Sequence, residues 1–175
     1  TINSQIKIEA TQNNYREFKI IKKDLGLTEV IPIDYEYNSG EKDFLKIALE
    51  VLKDFDCIPD IGYDIIISSK IPINSGLSSS AALIVAWVNF LLNTFTDKEV
   101  TSDLLAEISY RIEVLEVGGS GGKMDQYTIA NGKTIFLDTK TDNIIPFDHK
   151  LCNMIVGVSS QSKDTQGLLR KLKEN

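Results

Sequence analysis

In Pro72-Ile73-Asn74-Ser75-Gly76-Leu77-Ser78-Ser79-Ser80-Ala81-Ala82, a strand gives way to small residues and the small residues give way to a helix. Upstream, residues 63–71 are β-branched, with Ile65, Ile66 and Ile67 in succession, and stop at Pro72 as a strand does. Downstream, residues 81–88 are apolar on every side and the run continues past Asn89 to Leu92, so this helix is expected in the core. The first turn of a helix carries unpaired backbone N–H groups and about half a positive charge. Small residues there let an anion approach closely, and four of the five residues from Ser75 to Ser79 are small. The hydroxyls of Ser78, Ser79 and Ser80 add donors and a candidate metal ligand. Taken alone, a serine N-cap of a core helix explains the segment equally well. One capping residue would meet that need, however, whereas this run leaves a cavity for an occupant. The segment is not a Walker loop, because no Gly-Lys-Ser/Thr follows.

Working outward, residues 5–10 (with Ile6 and Ile8) and 16–22 (with Phe18, Ile20 and Ile21) read as strands around an Asn13-Asn14 turn, which predicts a hairpin. Residues 41–55 place Phe44, Ile47, Ala48, Val51, Leu52 and Phe55 at helical spacing. Leu104, Leu105, Ile108, Ile112 and Leu115 mark another helix, with Thr101 or Ser102 as its cap and Gly118-Gly119 as its end. A glycine-rich turn is expected after it. Residues 133–138 and 151–159 read as strands and 163–174 as a helix. Hairpins followed by helices, with no repeat or linker, predict one α+β two-layer domain.

The 175 residues are 42% hydrophobic and 25% charged, an ordinary globular balance. No apolar run approaches the ~20 residues that span a bilayer, so no membrane association is expected. No charged leader with an apolar core opens the chain, and Cys57 and Cys152 do not make a disulfide framework, so a cytoplasmic location is expected. Nineteen Lys and Arg against 25 Asp and Glu give a net charge of −6 without a basic run, which argues against nucleic-acid binding. His149, the only histidine, lies between Asp148 and Lys150 and reads as a solvated turn residue. Ser159, Ser160, Gln161 and Ser162 form a second candidate anion turn, for which capping is an equal explanation. Trp87 is most simply core.

Glu113 and Glu116 lie three apart on one helix and read as sharing a face, just upstream of Gly118-Gly119-Ser120-Gly121-Gly122-Lys123-Met124-Asp125-Gln126. Phosphoryl transfer needs a divalent cation to offset phosphate charge and often a carboxylate to orient the attacking hydroxyl. Each acid alone is more simply a surface or turn residue.

Gly76-Leu77-Ser78-Ser79-Ser80-Ala81 resembles the second motif of the GHMP small-molecule kinases, in its galactokinase form. The run Glu-x-x-x-x-Gly-x-x-x-Gly-x-Met-Asp-Gln from Glu113 to Gln126 is similar to the galactokinase segment that carries a metal-binding glutamate and a catalytic aspartate. The resemblance covers residues 65–132. It implies that Ser75, Gly76, Leu77, Ser78, Ser79, Ser80 and Ala81 wrap the phosphates of ATP. It further implies that Ser80 and Glu113 hold Mg2+, and that Asp125 positions or deprotonates the acceptor hydroxyl. The implied fold is an incomplete ribosomal protein S5 domain 2-like two-layer sandwich, with residues 1–175 as a GHMP kinase N-terminal (ATP-binding) domain truncated at both ends. The implied reaction is ATP- and Mg2+-dependent phosphorylation of a monosaccharide hydroxyl, with the isolated piece inactive. Asn74 and Ser75 depart from the family's usual glycine or alanine, and Lys123 replaces an apolar residue of galactokinases and resembles the lysine of heptose-phosphate kinases. A heptose-phosphate kinase and a catalytically weak sugar or nucleotide sensor are therefore the alternatives.

Overall fold

A four-stranded sheet forms one layer of the computed structural model, which describes residues 4–38, 40–72, 76–119, 121–148, 155 and 157. Its strands are β1 (Ile6–Gln12), β2 (Glu17–Lys22), β3 (Leu27–Pro32) and β4 (Tyr63–Ser69), in the order β1-β4-β2-β3. β4 runs antiparallel to β1, with Ile8 opposite Ile67, and parallel to β2, with Ile20 opposite Ile65. The alternation of a half-buried strand is visible along β4: Ile65 and Ile67 are buried, while Ile66 between them is 40% exposed.

The hairpin expected around Asn13-Asn14 does not form, because β4 lies between the two strands that would have made it. The 13–16 link arches instead over the start of β4. The Asn13 backbone N–H donates to the Gly62 carbonyl at 3.0 Å, and Asn13 Nδ2 donates to Asp64 Oδ1 at 3.1 Å. The link passes so close that a Cβ on Gly62 would overlap the carbonyl oxygens of Tyr15 and Glu17. The hairpin that does form joins β2 to β3, a strand that the sequence pattern did not announce, through a 3-10 turn at Lys23–Leu25 and the left-handed Gly26 (φ 62°).

Helices make the second layer. α1 (Phe44–Val51) continues into a 3-10 turn at Leu52–Phe55, and α2 (Ser79–Phe95) packs on β1. α3 (Ser102–Tyr110) passes into a π-helical turn at Arg111–Leu115, and α4 (Met124–Asn131) follows. α1, α3 and α4 all pack on α2. As its composition required, α2 buries Ile84, Val85, Trp87, Val88, Leu91 and Leu92. Trp87 is fully buried, stacks edge-on against Phe18 of β2 at 5.5 Å, and satisfies its indole N–H on the Leu45 carbonyl at 3.1 Å. Cys57 belongs to the same core; burial pushes its thiol up to about 11.

The glycine-rich turn expected after α3 gives way at Met124 to a helix, α4, which the left-handed Gly132 ends. β5 (Thr134–Asp138) and β6 (Asn143–Phe147) close the described chain as a two-stranded hairpin. Most of the expected strand at 151–159, the helix at 163–174, His149, Cys152 and the serine turn at 159–162 lie outside the described residues. Among the described residues, no helix is long and apolar enough to cross a membrane.

Candidate active site

The strand-to-helix junction is built from backbone that most residues avoid. Gly76 has φ 75°, and Ser78, at the N-cap position of α2, is itself left-handed at φ 55° and ψ 40°. In that conformation Ser78 makes no side-chain capping bond. The ordinary capping explanation of the serine run therefore fails at the position where it should apply. The hydroxyl of Ser78 therefore does not cap the first-turn amides of α2, which carry a partial positive charge. Ser75, Ile73 and Asn74 lie outside the described residues.

The second part comes from the end of α3. In the π-helical turn at Arg111–Leu115, the Glu116 N–H reaches back five residues to the Arg111 carbonyl at 3.0 Å. The two acids that straight-helix spacing put on one face have separate partners here. Glu116 accepts from Arg111 Nε at 2.8 Å, and Arg111 also pairs with Asp54 at 2.7 Å. Glu113 turns inward, where it accepts from Gln126 Nε2 at 2.5 Å and lies beside the Ser80 hydroxyl. Burial pushes the Glu113 carboxyl above its ordinary value. The hydrogen bonds from Ser80 and Gln126 pull the other way, and the charge of Asp125 adds to the rise.

The third part is the start of α4. Asp125 is exposed in its first turn and lines a cleft of about 560 Å³ together with Met124, Gly76, Leu77, Ser78 and Ala82. Gln126, the next residue, faces inward and is 2% exposed. Among the described residues its buried Oε1 has no hydrogen-bond partner, a condition that ordinarily costs about 1–3 kcal/mol.

Of the residues selected from sequence, Gly76, Leu77, Ser78 and Asp125 border the cleft, and Ser80 and Glu113 meet beside it. Ser79 is half-buried in the first turn of α2. The Ala81 side chain is 1% exposed in the core, so only its backbone faces the question of a ligand; Ala82 borders the cleft instead. Lys123 does not border it: its ammonium bonds Asp142 in the β5–β6 turn and sits 5.9 and 5.8 Å from the rings of Tyr110 and Tyr127. Sequence reading missed Gln126, because a glutamine beside an aspartate carries no chemical signature of its own. It also missed Met124 and Thr128 as cleft residues, which follow only once residues 124–131 are a helix.

Among the described residues, no three His, Cys, Asp or Glu converge as a self-sufficient metal cage. A hydroxyl and a carboxylate side by side are two hard oxygens. That donor set suits Mg2+, which keeps water and phosphate oxygens for the rest of its shell.

The family model described as the GHMP kinases N terminal domain matches residues 43–133, a span that contains Ser80, Glu113 and Asp125; the chain belongs to the GHMP kinase family. Within that family, a galactokinase of Clostridium perfringens is 32% identical over 128 residues, covering 70% of this chain and 33% of the relative. A mevalonate kinase of Thermococcus onnurineus is 25% identical over 173 residues, covering 93% of this chain and 51% of the relative. The crystal structure of Lactococcus lactis galactokinase complexed with galactose shares the fold with a TM-score of 0.69 at 23% identity, over 83% of this chain and 39% of that one. The chain thus spans about a third of the length of the galactokinase relatives it matches.

Proposed function

We propose that this chain is the nucleotide- and metal-binding part of an ATP- and Mg2+-dependent kinase that phosphorylates a hydroxyl of a monosaccharide or sugar phosphate. We also infer that residues 1–175 form a ribosomal protein S5 domain 2-like unit. One observation carries the functional reading: Ser80 on the uncapped start of α2 and Glu113 on the π turn are in contact, beside a cleft that Asp125 enters from α4. Three separate elements supply the parts that phosphoryl transfer needs, and the galactokinase relatives favour a sugar as acceptor.

In this reading, the open amides and hydroxyls of residues 76–81 receive the phosphates, small side chains letting the backbone come close. Ser80 and Glu113 hold the cation, which when bound offsets phosphate charge. Asp125 orients the acceptor hydroxyl. As the hydroxyl oxygen bonds the γ-phosphorus, the bond to the bridging oxygen of ADP breaks and the hydroxyl proton passes to Asp125. Leu77 and Met124 give the same cleft apolar lining.

The test is to give the intact protein ATP and Mg2+ with galactose, a heptose phosphate and mevalonate in parallel, and to follow ADP and phosphorylated product. Transfer to a sugar is expected. Transfer to mevalonate alone would overturn the sugar assignment, tight nucleotide binding with no transfer would make the protein a sensor, and no nucleotide binding would end the kinase reading altogether.

A further inference from the structure

Gln126 contributes nothing that a core residue needs. It is almost wholly buried, its Oε1 has no partner among the described residues, and a leucine or methionine would fill the same space without stranding a carbonyl oxygen. What the amide does provide is an N–H: Nε2 donates to Glu113 Oε2 at 2.5 Å across the gap between α4 and the π turn. With that oxygen held, the carboxylate can no longer swing freely and is kept facing Ser80. Asp125 and Gln126 are neighbours on one helical turn, one exposed at the cleft and the other buried against Glu113.

We propose that Gln126 is the positioning residue of the cation site: it fixes the orientation of Glu113 and so ties the placement of the metal ligand to the placement of Asp125. The proposal rests on the kinase reading above. Partners that orient a ligating carboxylate govern metal affinity strongly although they never touch the ion. A wholly structural glutamine would instead govern folding.

Gln126→Leu and Gln126→Met remove the donor and the stranded oxygen together at nearly constant volume. In the intact protein, Mn2+ stands in for Mg2+ and is titrated by electron paramagnetic resonance in the presence of a non-hydrolysable ATP analogue. Both variants are expected to bind Mn2+ about tenfold more weakly. Their affinity for the same analogue in EDTA should be unchanged, and their melting temperatures equal to or above the parent's. Parental Mn2+ affinity in both variants overturns the proposal, as does a parallel loss of metal-free nucleotide binding or a drop in melting temperature that accounts for the loss. If the apolar variants do not fold, Gln126→Ala removes the donor without bringing in a carboxylate and answers the same question. Glu113→Gln separates the two levels of inference. If it loses Mn2+ while Gln126→Met does not, the cation site stands and the role of Gln126 falls. If the parent binds no Mn2+ with nucleotide, the kinase reading fails and this proposal with it.

Discussion

α1 and α3 begin on residues that close their own helix. Asp43 is extended (φ −80°, ψ 110°) and its carboxylate accepts from the Leu45 N–H at 2.9 Å; Thr101 (φ −81°, ψ 157°) accepts from the Leu104 N–H at 3.2 Å. α2 and α4 begin on residues that do not. Ser78 is left-handed and makes no capping bond, and Lys123 has no acceptor to offer. A side-chain cap is worth about 1 kcal/mol, and a left-handed non-glycine residue costs about 1–2 kcal/mol. α2 tolerates both losses because it is seventeen residues long, buries seven of them and packs on the sheet and three helices, so packing rather than its ends stabilises it. The two open ends border one cleft, while the two closed ends do not. The difference teaches which helix starts this fold closes with a side chain and which it leaves open beside the cleft.

The comparison breaks most visibly at α4. Asp125→Ala is expected to lower turnover of the intact protein by about a hundredfold or more while nucleotide affinity changes little. Steady-state kinetics beside a nucleotide titration checks this, and retained turnover would remove Asp125 from the chemistry. A smaller contrast lies in stability. Asp43→Ala and Thr101→Ala should each cost about 1 kcal/mol in denaturant melts and leave nucleotide binding alone. Ser78→Ala removes no cap, so it should leave stability nearly unchanged and weaken nucleotide binding. Equal destabilisation by Ser78→Ala and Asp43→Ala would erase the distinction between the two kinds of helix start.

The smallest effect belongs to the closed end of α1. Glu41 accepts from the Tyr35 hydroxyl at 2.6 Å and from the backbone N–H groups of Asp43 at 3.0 Å and Lys42 at 2.8 Å. These bonds, that of Tyr35 foremost, hold its carboxyl at about 2, below the ordinary 4.5. A carboxyl depressed in the folded state stabilises fully above its unfolded value and loses that contribution as pH falls through the folded one. Glu41→Gln should therefore flatten the acid side of the stability profile between about 4.5 and about 2, read from thermal melts at stepped pH.

Local pattern carried the readings that came through. α2 was legible because its residues are apolar all round, β4 because three isoleucines stand in a row, and α3 because Thr101 and a leucine–isoleucine stripe mark its start and its face. Pairing between distant strands has no such local signal: the Asn13-Asn14 turn promised a hairpin, and the partner that displaced it begins some fifty residues later. β3 was illegible for a related reason, since Leu27 and Val30 are exposed and the alternation is blurred. Residues 124–131 lack an apolar stripe, which hid α4. The candidate site followed the same rule. The residue types that phosphate and metal chemistry require could be picked out, and Ser80, Glu113 and Asp125 do converge. The π turn that sends Glu113 and Glu116 to different partners, and the buried amide that holds Glu113, exist only in three dimensions.

The strand order β1-β4-β2-β3 also dictates a timetable. As the polypeptide leaves the ribosome, β2 and β3 can zip together at once across a short turn, but Ile6 finds its partner only when Ser69 has been made. Until then β1 is an unpaired edge, and closing so long a loop is slow compared with coiling α1. β1 is thus the last of these four strands to find its place, and the nascent protein is most open to mispairing with another copy during that interval.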